Sequence, residues 1–192
     1  MHPVLKAWSE IFSSYENIHG SQNGLKILDA DQYWIHAGKA FVHNDKHSLA
    51  TSTVHLTYFD LSSAVNEVHL KLFNYNVDNG PCDIHVYKNS VVSTTGSLKQ
   101  VHNLNQTSVN TNGMRIYENP LMTTTGSQLD FAFIESAAGG PIKAAGGGGG
   151  PSVNEWILDP AVKYLIGLTN NSGGAINFSQ HLVWYEPFNP GV

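Results

Sequence analysis

Val68-His69-Leu70-Lys71-Leu72-Phe73, then Asp78-Asn79-Gly80-Pro81, then Cys82-Asp83-Ile84-His85-Val86-Tyr87-Lys88: two alternating segments separated by a turn signal. Side chains of a strand point to opposite faces in turn, so apolar residues at every second position mark a strand with one buried face. This reading puts Val68, Leu70 and Leu72 inward on one strand and Cys82, Ile84 and Val86 inward on the next. Asn-Gly-Pro chemistry between them breaks any longer element.

The same period extends outward in both directions. Val54-His55-Leu56-Thr57-Tyr58-Phe59 reads as a strand with Val54, Leu56 and Tyr58 on its apolar face. Tyr33-Trp34-Ile35-His36 and Lys39-Ala40-Phe41-Val42 read as a first strand or pair, broken at Gly38. Leu129 to Ile134, Glu155 to Leu158, Lys163 to Thr169 and Ala175 to Tyr185 complete the strong segments. Residues 89–112 are rich in Ser, Thr, Asn and Gln and predict a long loop or short edge strands near Val91-Val92 and Val101 to Leu104. Met114 to Tyr117 and Leu121 to Thr125 are weaker strand candidates. Roughly eight to ten strands at short spacing predict an all-β, antiparallel β-sandwich or jelly roll. No alternating helices are present to cover a parallel sheet.

Two segments depart from this period. Leu5, Trp8, Phe12 and Tyr15, with Ile11 beside them, fall on one face of a helix predicted over Pro3 to Glu16. Residues 1–32 thus form an N-terminal arm, and residues 33–192 the sandwich. The aromatic face either packs on its own sandwich or docks on a partner, so Leu5, Trp8, Ile11, Phe12 and Tyr15 are the candidate partner-binding residues. Residues 137–151 hold five consecutive glycines, Gly146 to Gly150, and predict an inserted surface loop. No Lys-Ser/Thr follows that run, so it lacks the pattern of a phosphate-binding loop.

Composition narrows the function. Of 192 residues, 13% are charged, the net charge is −5, and Arg115 is the sole arginine. Nucleic-acid binding draws on clustered basic side chains, and none are clustered here. Neither a basic membrane-binding face nor an apolar run of about 20 residues occurs. Met1 to Tyr15 lacks a signal-peptide pattern, giving an expectation of cytoplasmic synthesis. Cys82 is the only cysteine, which rules out an intrachain disulfide, and its alternation with Ile84 and Val86 predicts a buried thiol.

Ten histidines invite a search for metal or proton chemistry. His36, His43 and His47 form a loose group. His55, His69 and His85 each lie opposite the apolar set of their strand, which predicts an exposed stripe. Neither His-x-His nor His-Glu-x-x-His occurs, and neither does Gly-x-Ser-x-Gly. Glu186, in Val183-Trp184-Tyr185-Glu186, is the one acid in a distinctive aromatic setting, and a structural role is expected of it. The expectation is a protein with no cofactor, no metal and no catalytic residue.

Three stretches carry a resemblance: Ile35-His36-Ala37-Gly38-Lys39-Ala40-Phe41, Leu158-Asp159-Pro160-Ala161-Val162-Lys163-Tyr164-Leu165-Ile166-Gly167-Leu168-Thr169-Asn170, and His181-Leu182-Val183-Trp184-Tyr185-Glu186. In layout, residues 33–186 resemble the capsid decoration, or cement, proteins of tailed bacteriophages. The resemblance implies a β-sandwich or jelly-roll body and a homotrimer on the outer surface of the virion. Its partner would be the major capsid protein, whose neighbouring subunits it would cement. Two other readings stay open. One is a glycan-binding module using Tyr75, Tyr87 and Tyr117; the other is a metal-dependent jelly-roll enzyme using the histidines.

Overall fold

The computed structural model describes residues 30–64, 66–134, 144–146 and 155–187. One short helix, α1 (Ala30–His36), precedes β1 (Ala40–Leu49), β2 (Val54–Asp60), β3 (Val68–Val77) and β4 (Cys82–Lys88). Short strands follow: β5 (Val91–Thr94), β6 (Ser97–Leu98), β7 (His102–Asn103), β8 (Arg115–Glu118) and β9 (Leu121–Thr124). Then come β10 (Ser127–Ile134), β11 (Ala144–Gly146), β12 (Trp156–Leu158), β13 (Tyr164–Asn170) and β14 (Ile176–Tyr185).

These strands build an antiparallel sandwich. The first sheet runs β11-β3-β14-β1-β7, with β12 also paired to β3. The second runs β10-β4-β13-β2-β8-β6, and β5 pairs with β9 in a separate ribbon. Along the chain β1, β2, β3 and β4 alternate between the two sheets, as do β10, β12, β13 and β14. Connections that cross from sheet to sheet wrap the chain around the core, which is jelly-roll topology. The expected all-β sandwich is therefore the observed fold.

The core lies between the sheets. Phe41, Leu182 and Trp184 of the first sheet meet Phe59, Ile84, Ile166 and Leu168 of the second. Removing each such side chain from water contributes about 1.5–3 kcal/mol. Cys82 is buried among them, as its alternation predicted, and burial pushes its thiol up to about 11. Trp184 anchors the closing edge: its indole Nε1–H donates to Glu186 Oε1 at 3.0 Å, and Glu186 also accepts from the Gly113 and Met114 amides at 2.7 and 3.1 Å. Asn170, fully buried, ties the β13–β14 corner to the end of β1 through the Leu49, Ala50 and Gly174 carbonyls.

Several expectations need correction. Tyr33 to His36 belong to α1, not to a strand. So short an apolar run fits either period; here Trp34 stacks on Tyr185 at 5.2 Å, and Gly38 at φ +66° turns the chain into β1. That helix straddles the expected boundary at residue 32. β1 continues well past Val42, to Leu49. In β2 it is His55, Thr57 and Phe59 that point into the sandwich; of the expected apolar row Val54 is 48% exposed, whereas Tyr58 is buried at 3% on the opposite face. In β3, Val68 and Leu70 are buried as expected, but the register shifts opposite Val183/Trp184. Beyond that irregularity Phe73, Tyr75 and Val77 take the inner face. The side chain of Leu72, the helix over Pro3 to Glu16, and most of the 137–151 segment lie outside the described residues; from that segment only β11 is described, paired with β3.

Candidate functional site

Two features of the sandwich carry chemistry beyond packing. The first is the outer face of the second sheet. Antiparallel register places opposed residues on the same face. One row therefore runs Gln128, Tyr87, Leu165, Tyr58, Tyr117 and Leu98, crossing all six strands from β10 to β6, with Leu165 and Tyr58 at its centre buried. Phe131, His85, Gly167 and Leu56 form the next row, and Phe133, Asp83, Thr169 and Val54 the row after it. The rings touch: His85 lies 4.9 Å from Phe131 and 5.9 Å from Tyr87, and Tyr58 lies 6.2 Å from Tyr117. Phe131 and Phe133, on edge strand β10, are 49% and 51% exposed. Two large aromatic side chains half in water on a sheet edge are an adhesive feature, since exposed edges and contiguous apolar patches both recruit partners.

The second feature lies between the sheets. β1 sends His43, Asp45 and His47 inward, at successive alternate positions. β2 sends His55 and Thr57 to meet them, and β8 sends Glu118. His47 Nε2 lies 2.7 Å from Glu118 Oε1, and His55 Nε2 lies 3.7 Å from the same oxygen. The His47 and His55 rings are 4.4 Å apart, and both pack on Phe178. On the other side of Glu118, Lys99 Nζ is 3.0 Å from Oε2 and also pairs with Asp45. Deeper in, Gln180 Oε1 accepts from Thr57 Oγ1 at 2.8 Å and from the Tyr75 hydroxyl at 3.0 Å.

The electrostatics of this cluster follow from burial. Loss of water pushes the His55 imidazole down to about 4, aided by the neighbouring His47. Burial likewise pushes His43 down, against the pull of its hydrogen bond to the Gln100 carbonyl. Burial works to raise Asp45, but hydrogen bonds from Lys99 and the Lys46 amide, together with the charges of His47 and Lys99, hold its carboxyl below the usual range. Lys99 is correspondingly raised, first by Asp45.

The sequence-derived candidates fall in different places. Leu5, Trp8, Ile11, Phe12 and Tyr15 lie outside the described residues. Tyr75 is fully buried and cannot meet a glycan; Tyr87 and Tyr117 do share the outer row of the second sheet. The expected stripe of His55, His69 and His85 does not form. His55 is buried between the sheets, His85 is on the outer face of the second, and His69 is on the first, stacked on Tyr185 at 4.6 Å. His36 ends α1, apart from His43 and His47. The grouping of His43, Asp45, His47, His55 and Glu118 escaped the sequence reading. Its one local signal is His43-x-Asp45-x-His47, a strand spacing that places three metal-binding or proton-carrying side chains on one face.

No protein-family model matches the chain, and no curated protein matches it.

Proposed function

We propose that this protein is a structural virion component that decorates a bacteriophage capsid and cements neighbouring major capsid protein subunits from outside, as a homotrimer. The observation that carries the reading is the pair Phe131 and Phe133, half exposed side by side on edge strand β10 of the second sheet. A surface with few charges suits permanent contact with other subunits, because little charge desolvation opposes burial. Many copies on one lattice add their weak contacts into firm attachment. Cementing asks for no catalytic group.

Co-expression with the major capsid protein of the same genome tests this. The wild-type chain is expected to purify with the assembled shells at a fixed copy number. Phe131→Ser with Phe133→Ser is expected to reduce attachment at least tenfold while leaving the melting temperature of the free protein within a few degrees. Assembled shells that purify without the chain bound to them would refute the reading. A glycan-binding alternative draws on Tyr87 and Tyr117 sharing one row, since aromatic faces stack on sugar rings; a glycan array without hits removes it.

A further inference from the structure

We infer that His47, His55 and Glu118 form a binding site for one divalent transition-metal ion, Zn2+ by preference, clipping the two sheets together. The three groups offer ligand atoms that all lie within 4.8 Å of one another. Two imidazoles and a carboxylate are a donor set that suits Zn2+. They come from both layers: His47 from β1 of the first sheet, His55 and Glu118 from β2 and β8 of the second.

The independent observation is an unpartnered nitrogen. His55 is 4% exposed, and its Nε2 has no hydrogen-bond partner. Burying a polar atom without a partner costs about 1–3 kcal/mol. It faces Glu118 Oε1 at 3.7 Å, too long for a hydrogen bond. Ligands held at about 2.0–2.1 Å around a tetrahedral ion stand about 3.3 Å apart. The 3.7 Å gap is close to that edge. The 2.7 Å contact of His47 with the same oxygen must widen by about 0.6 Å to reach the same edge. The His47 side chain, 20% exposed, is the one with room to move.

A second trio, His43, Asp45 and Glu118, is equally compact. There, however, the Lys99 ammonium already bridges the two carboxylates and supplies the cation. The ion therefore belongs on the Oε1 side of Glu118, while Lys99 holds Oε2 and orients the carboxylate. Asp45 Oδ2, although 3.6 Å from His47 Nε2, is already held by Lys99 and is not counted among the ligands. A positive neighbour weakens cation binding, so Lys99 limits the affinity of this site.

The test is calorimetric titration of full-length, chelator-treated protein with ZnCl2, alongside the visible absorption of bound Co2+. One equivalent is expected to bind, with a tetrahedral Co2+ spectrum and a melting temperature that rises with Zn2+ concentration. His47→Gln and His55→Gln are each expected to weaken binding at least tenfold, Lys99→Met to tighten it several-fold, and His85→Gln to change nothing. His47 is the more exposed of the two histidines, and thermal unfolding of each metal-free variant separates lost binding from a lost fold. Absence of saturable binding at one equivalent, or binding that survives His47→Gln undiminished, would overturn the assignment.

Discussion

Acidification to about pH 5 should weaken this sandwich before any carboxylate gives way. His55 is buried against Phe178, and loss of water holds its folded pKa at about 4. An unfolded histidine titrates near 6.5. Between those values the unfolded chain binds a proton that the folded chain refuses, so stability falls as the pH falls through this window. The full shift is worth about 3 kcal/mol, and about 2 kcal/mol of it is lost between pH 7 and about pH 5. His43, pushed down by the same burial, adds to the loss in the same direction. Asp45, Asp60, Asp78 and Glu155 carry the opposite signature. Their folded pKa values lie below 3.8 for the aspartates and 4.5 for the glutamate, so what they contribute is lost only at lower pH. Urea unfolding in the presence of a chelator, at several pH values across the window, measures the slope. His55→Gln removes the titrating group, and its stability should depend on pH by about 2 kcal/mol less over that interval. An identical slope in the wild type and His55→Gln would show that the buried imidazole is not what couples folding to protons here.

Two packing predictions need only equilibrium unfolding. Asn170→Ala should cost about 2–4 kcal/mol, because it leaves the Leu49, Ala50 and Gly174 carbonyls without their shared donor and the Ser172 amide without its acceptor. Trp184→Ala should cost about 3–5 kcal/mol, since a fully buried indole packed 5.9 Å from the Phe41 ring leaves a large cavity. Trp184→Phe should cost less than the alanine variant. A loss under about 1 kcal/mol in either alanine variant would remove the corresponding side chain from the set that holds the sandwich closed.

Strands with simple apolar alternation were legible in the sequence. β4 is the clearest: Cys82, Ile84 and Val86 are buried, and the strand ends at Lys88 as its pattern predicts. The same logic recovered the inner face of the first half of β3 and the long β14. It failed where both faces of a strand carry apolar residues. In β2, Val54, Leu56 and Tyr58 do form an apolar row, but it faces away from the inter-sheet core, beside Tyr117 and Leu165, and Tyr58 is buried there. His55, Thr57 and Phe59 had to be the inner row because they face Glu118 and Ile116 across to β8, and Ile116 is fully buried. A one-residue choice of face is invisible to a period of two unless one face is plainly polar. The outer rows were hidden for this reason: their β2 members, Val54, Leu56 and Tyr58, had been assigned to the core.

The inter-sheet cluster was hidden by the complementary effect. β1 loses its apolar alternation after Phe41 because its next three inner positions are His43, Asp45 and His47, so the strand seemed to stop at Val42. A buried strand can carry such residues only if the facing strands supply partners, for an unpaired buried charge is far more expensive than an apolar residue in its place. The partners are spread over the chain: Lys99 and Gln100 in a segment without pattern, Glu118 on a four-residue strand, Gln180 on the last strand. Each alone looks like an ordinary surface residue, and only the jelly-roll crossings bring them to one place. Two imidazole nitrogens, on His43 and His55, stay without partners even there. Filling that interior with leucine and valine would have given a drier and tighter core. A polar cluster stands in its place, with His55 Nε2 unpartnered 3.7 Å from a carboxylate oxygen, and that pairing of a bare nitrogen with a buried carboxylate is the arrangement on which the proposed cation site rests.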